Sequence, residues 1–420
     1  MISEGGSPLI TLSTKNQGES SEKITVKGDK GRKSRNLFVP NNSRTFYNLY
    51  MQAQSRALVN PQADFWLLGG LSLILVFIIG SLIDWESGTM THHMSALAYY
   101  LALVINYPHF AYSYQVFYKG LPERLRSAET TLPSKIRIVI AGFAVPAVLI
   151  AYFLFALLRH NMFIMGAGIS IMTLLGGWHY ARQGYGALIT NSIYRGIFYS
   201  PRQKFILNLN AYVIPAYAWV RVNLRGGSTH YYDIPYGTVG FSAQVVNSFL
   251  VITVITSLLS LAVFLRLWLI DRRGIAVNGV TGYVCSSYIW VLMSGYNPLI
   301  LNLAPCFHSL QYLPFIYKFK KGETGAADAV SGGEALKHKK PVVSLLIFAI
   351  TGVALGFFFL DALPKIMDHL MIRYQSPPAG CSRSFFLVSF TMFVSYHHYF
   401  IDYAFWRRDN RDVQKFVFRA

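Results

Sequence analysis

From Phe65 onward the chain alternates between apolar stretches long enough to cross a bilayer and short polar connections. A hydrocarbon core about 30 Å thick takes about 20 helical residues to cross, and backbone groups inside it must pair within the segment. Windowing at that length predicts ten spans, at residues 65–83, 94–118, 136–158, 163–189, 204–220, 245–270, 277–295, 298–318, 341–361 and 384–406. The expected fold is all-α, a polytopic transmembrane helical bundle. Read as a single helix, 277–318 would measure about 60 Å, twice the hydrocarbon thickness. The Gly295-Tyr296-Asn297-Pro298 cluster predicts a turn that splits it.

Charge sets the orientation. The 38 Lys and Arg outnumber the 19 Asp and Glu, which would suit a nucleic-acid binder, but membrane proteins concentrate basic residues in cytoplasmic loops facing anionic lipid. The expected partner is the lipid bilayer, with no nucleic acid. With the basic N-terminal tail inside, residues 119–135, 195–204, 271–273 and 319–340 become cytoplasmic loops, both termini are cytoplasmic, and the acidic Asp84-Trp85-Glu86 lies outside. Arg221 and Arg225 depart from this pattern, in a connection that should be external.

Three regions follow. Residues 1–62 read as a basic, largely disordered cytoplasmic tail, with a possible interfacial amphipathic helix over Thr45 to Val59. Residues 63–406 form the transmembrane domain, with a flexible cytoplasmic linker at 319–340, and 407–420 form a basic cytoplasmic C-tail. No short apolar stretch with a cleavage motif precedes Phe65, so the first span is expected to direct insertion into the inner membrane. Cys285, Cys306 and Cys381 lack CxxC spacing and build no zinc or disulfide framework.

Within the apolar runs stand five histidines. His109, His179 and His308 lie on the second, fourth and eighth spans, and His397 with His398 on the tenth. His109, His308 and His397 each precede a basic residue (Lys119, Lys318, Arg407) by ten positions, about 15 Å of helix. His179 lies ten residues before Ile189, where its apolar run ends. Four like-oriented helices therefore carry imidazole to one depth. Ionisable groups are expensive in hydrocarbon and mark functional sites there, so His109, His179, His308 and His398 are the expected metal ligands. Neighbours on a helix point about 100° apart. His398 is favoured because Asp402 shares its face, and His397 remains a fifth candidate.

Polar companions accompany the histidines one turn on. Arg182 and Gln183 follow His179, Gln311 follows His308, and Asp402 follows His398; these four are the catalytic candidates. Arg182 reads as a structural partner of Asp402, or as a clamp for a substrate carboxylate or quinone oxygen. His92, His93, His160, His230, His338 and His369 fall in connections and read as surface residues.

An all-imidazole site suits iron, copper or zinc rather than calcium or magnesium. Iron in such a site activates O2 against an alkene or C–H bond, and a position inside the membrane admits lipophilic substrates. The polytopic architecture and the scattered histidines resemble those of the bacterial membrane enzymes that cleave β-carotene to retinal and their bacteriorhodopsin-associated relatives, with Tyr107-Pro108-His109-Phe110 standing where their signature would be. The resemblance covers architecture and histidine pattern; the P-H-G-type signature is absent. It implies a non-haem iron oxidoreductase acting on a lipophile with an electron donor. The alternatives are a b-type cytochrome whose haem takes two histidines, a membrane acyltransferase using one histidine as base, and a transporter.

Overall fold

The computed structural model describes residues 21–26, 35–40, 57–82, 88–159, 161–224, 226–272, 274–295, 298–331, 340–374 and 383–418. In the N-terminal tail, which is a unit of its own, β1 (Ser21–Val26) pairs antiparallel with β2 (Arg35–Pro40). Most of the expected interfacial helix lies outside the described residues. Its last residues, 57–59, are bent rather than helical, and Asp64 holds them, accepting from the Leu58 and Val59 amides at 2.7 and 3.0 Å.

The second unit is almost wholly helical. Long helical runs occupy each of the expected stretches: α1 (61–82), α2 (88–118), α3 (Leu132–Arg159), α4 (Met162–Tyr194), α5 (Pro201–Val222), α6 (Ala243–Ile270), α7 (277–295), α8 (Pro298–Ser331), α9 (340–374) and α10 (Phe385–Phe405). Five segments, Pro61–Ile78, Leu132–Arg159, Met162–Tyr194, Ala243–Ile270 and Val342–Arg373, are long and apolar enough to cross a membrane. The turn expected between α7 and α8 rests on residues 296 and 297, outside the described residues. α8 runs on through the first half of the predicted linker, where Glu323 bonds Lys320 on its own helix and Lys119 at the end of α2.

Proline shapes three of the helices. Pro108, Pro146 and Pro364 each follow, by two residues, a widened π-type turn at Ala102–Asn106, Ile140–Ala144 and Phe358–Ala362. Proline has no N–H and crowds the carbonyl four residues back; a wider turn just ahead of it relieves both. In α2 that turn directly precedes the segment bearing His109.

On α6 the outward face is aliphatic and the inward face carries hydroxyl groups. Over Ala243–Leu265 of α6 the buried residues are Val246, Thr253, Thr256, Ser260 and Val263, whereas Val251, Ile255, Leu258 and Leu261 face outward. Thr256 donates to Asn210 Oδ1 at 2.9 Å, and Asn210 donates to Tyr283 and Tyr288. Polar side chains turned toward neighbouring helices and aliphatic ones turned out are what a lipid solvent selects.

α10 is the centre, with 14 of its 21 residues buried against five of 23 on the Ala243–Leu265 part of α6. It packs on α2, α3, α4 and α9. α9 lies close against α2: a Cβ at Gly356 would come within 2.5 Å of the Tyr107 carbonyl carbon and 2.9 Å of Pro108 N, so only glycine lets the backbones approach beside His109. At one end a small hairpin, β3 (Gly227–Tyr231) and β4 (Ile234–Thr238), packs on the start of α4 with Ile234 fully buried. This hairpin adds to the all-helical expectation; its turn at Tyr232-Asp233 carries no Asn-Gly signal, and Tyr232 takes a φ of 54°. Arg221 beside it donates to the Gly295 carbonyl at 3.0 Å.

Candidate metal centre

His109, His179, His308 and His398 meet in the buried middle of the bundle, from α2, α4, α8 and α10. One ring nitrogen from each lies within 4.8 Å of all the others. His398 Nε2 is 2.9 Å from His109 Nε2 and 3.2 Å from His179 Nε2. Ligands about 2.0–2.1 Å from one ion lie roughly 3.0 Å apart at right angles and about 3.4 Å apart in a tetrahedron. The close pairs therefore have the spacing of adjacent ligands, and a pair at the 4.8 Å limit must draw in by about 1.4 Å to reach the tetrahedral spacing.

Hydrogen bonding among the histidines does not account for the group. Neither ring nitrogen of His308 has a hydrogen-bond partner. Buried polar atoms are nearly always paired, and a cation among four imidazoles would satisfy one nitrogen on each. The donor set, borderline-soft nitrogen, fits iron, copper or zinc.

Aromatic rings hold the imidazoles. Phe110 follows His109, Tyr180 follows His179 and Tyr399 follows His398, and each packs on the histidine of a different helix. Tyr180 stacks on His308 at 4.4 Å between centroids, Tyr399 lies against His179 at 4.6 Å, and Phe110 meets His398 edge-on at 4.9 Å. Tyr312 closes on His109 at 4.4 Å and takes a hydrogen bond from Ser113. Sequence reasoning marked Tyr312 as a companion of His308 but passed over Phe110, Tyr180 and Tyr399; the signal was an aromatic residue directly after three of the four histidines.

The remaining predicted residues divide. Asp402 sits at the rim, its Oδ2 3.5 Å from His398 Nε2 and 3.9 Å from His179 Nε2, with Oδ1 unbonded. That places a carboxylate where it can neutralise a bound cation or join its ligands. Gln183 donates to the His308 carbonyl at 2.9 Å and to Gln311, which donates to the Leu68 carbonyl at 2.7 Å. The two amides thus fix α8 against α4 and α1, positioning His308 rather than facing a reacting atom. Arg182 makes no ion pair with Asp402 among the described residues; its guanidinium lies over Tyr185 and Tyr212. His397 points away from the four: its Nδ1 meets the Tyr114 hydroxyl at 2.8 Å and its Nε2 the Ala141 carbonyl at 3.0 Å, so both nitrogens are engaged elsewhere.

Comparison of the chain with known proteins finds no matching family model, no matching curated protein and no matching solved structure.

Proposed function

We infer that the protein is an integral metalloprotein of the cytoplasmic membrane, with ten spans and both termini inside, in which His109, His179, His308 and His398 bind non-haem iron that oxidises a lipophilic substrate. The observation that carries the reading is the convergence of four buried imidazoles, one of them, His308, without any hydrogen bond. Iron held by neutral nitrogen ligands with open positions supplies O2 activation against alkene or C–H bonds, with an external electron donor completing the balance. The chain itself contributes a dry site, ring orientation through Tyr180, Tyr399 and Phe110, and the Asp402 carboxylate at the rim. The close packing of four imidazoles with aromatic rings favours an ion over a haem, which needs a flat slot between only two ligands.

Metal analysis of detergent-purified protein tests this. About one equivalent of iron in the wild type, lost in His308→Ala, is expected. Less than about a tenth of an equivalent of any transition metal in the wild type would end the reading, and a Soret band would transfer the site to haem.

A further inference from the structure

Arg182 lies on α4 one turn beyond His179. Its guanidinium carbon is 5.1 Å from the centroid of Tyr185 and 5.1 Å from that of Tyr212. Its buried Nη1 has no hydrogen-bond partner, and Asp402, the carboxylate one would expect to pair with it, faces His179 and His398 instead. A guanidinium at membrane depth is costly without an anion, and two tyrosine faces compensate only in part. Nη1 is available to donate to a ligand.

The same corner adjoins the lipid-facing surface. The Trp178 ring lies 6.3 Å from Tyr212 and 6.0 Å from Tyr403, and Tyr212 and Tyr403 are 41% and 43% exposed. An amphiphile moving laterally out of the bilayer would meet three flat rings and then a cation.

We propose that Arg182, framed by Tyr185 and Tyr212, binds the carboxylate of a long-chain lipophilic acid, which makes such acids the substrate class of the histidine centre; this rests on reading the four histidines as a metal site. A carboxylate matches the planar guanidinium in a two-point contact. Arg182 is about 10 Å of helix inside Ile189, where the apolar run of α4 ends, and only about 4.5 Å from the level of His179; a phospholipid phosphate, held at the margin, is the competing ligand that the test separates. Anchoring the acid group there presents the carbons nearest it to the histidines.

The test is equilibrium binding of palmitate and of methyl palmitate to the full chain in nanodiscs of zwitterionic lipid. Wild-type protein is expected to prefer the acid by about 10- to 100-fold, the worth of a charge-assisted hydrogen bond. Arg182→Gln should abolish the preference while binding the ester as wild type does and keeping its metal. Equal affinity of wild type for acid and ester would overturn the proposal, and so would a preference that persists in Arg182→Gln. Displacement of palmitate by phosphatidylglycerol from wild type would assign the corner to a lipid headgroup and overturn it too. His308→Ala should lose metal and retain the preference for the acid, so failure of the metal reading and failure of the acid site give different results.

Discussion

His398 Nε2 stands 2.9 Å from His109 Nε2 and 3.2 Å from His179 Nε2, so one nitrogen on α10 is shared by imidazoles from two other helices. A neutral imidazole nitrogen carries one proton or one lone pair, so hydrogen bonding alone joins these three rings only weakly. One cation in place of the shared proton satisfies all three and His308 as well. His398→Ala is expected to abolish metal binding, and His109→Ala to weaken it by at least about tenfold, measured by competition with a chromophoric chelator. Full metal retention in His398→Ala would show that the ion sits elsewhere.

His397 is adjacent in sequence but belongs to a different set of contacts, with Tyr114 and the Ala141 carbonyl. Removing it leaves those buried groups unpaired, at a cost of about 1–3 kcal/mol. His397→Ala should lower the thermal midpoint and leave the metal stoichiometry unchanged. A variant that lost its metal with an unchanged midpoint would contradict this division.

Since the His308 ring makes no hydrogen bond, its orientation depends on the Tyr180 stack. Tyr180→Phe keeps the ring and should bind metal as the wild type does, whereas Tyr180→Ala should weaken metal affinity by about tenfold or more, the usual effect of losing a group that orients a ligand. Equal affinities in the two variants would remove the stack from the argument.

Gly356 and Gly186 give a paired steric test. A methyl group at Gly356 meets the Tyr107 and Pro108 backbone at 2.5–2.9 Å, whereas one at Gly186 meets nothing within 4 Å. Gly356→Ala should push α9 from α2, lower the thermal midpoint and loosen metal binding at His109; Gly186→Ala should do neither. Chelator competition and thermal unfolding read both.

Beside the C-terminal end of α2, burial pushes the Glu323 carboxyl up, but hydrogen bonds from Lys119 and Lys320 outweigh it and leave the group below its ordinary value. A lowered folded-state value contributes stability above the unfolded value, about 4.3, and that contribution disappears as pH falls through the folded value. Glu323→Gln should therefore unfold at a lower temperature than wild type at pH 7, with the gap closing as pH falls below the ordinary glutamate range. A gap that stayed constant across this range would mean that charge is not the cause.

The apolar runs and the common depth of the four histidines were legible in the sequence because each depends on a single segment: run length sets what can cross a bilayer, and helical rise sets how far a residue lies from the basic margin. The Asp402 spacing pointed at His398 for the same local reason. What each side chain meets across the bundle was not legible. A helix turns successive residues by about 100°, but which neighbour stands in that direction depends on how ten helices pack. Only the tertiary structure turned Gln183 and Gln311 into braces behind His308, gave Tyr180 and Tyr399 to histidines on other helices, sent His397 toward Tyr114, and left Arg182 between two tyrosines rather than against Asp402.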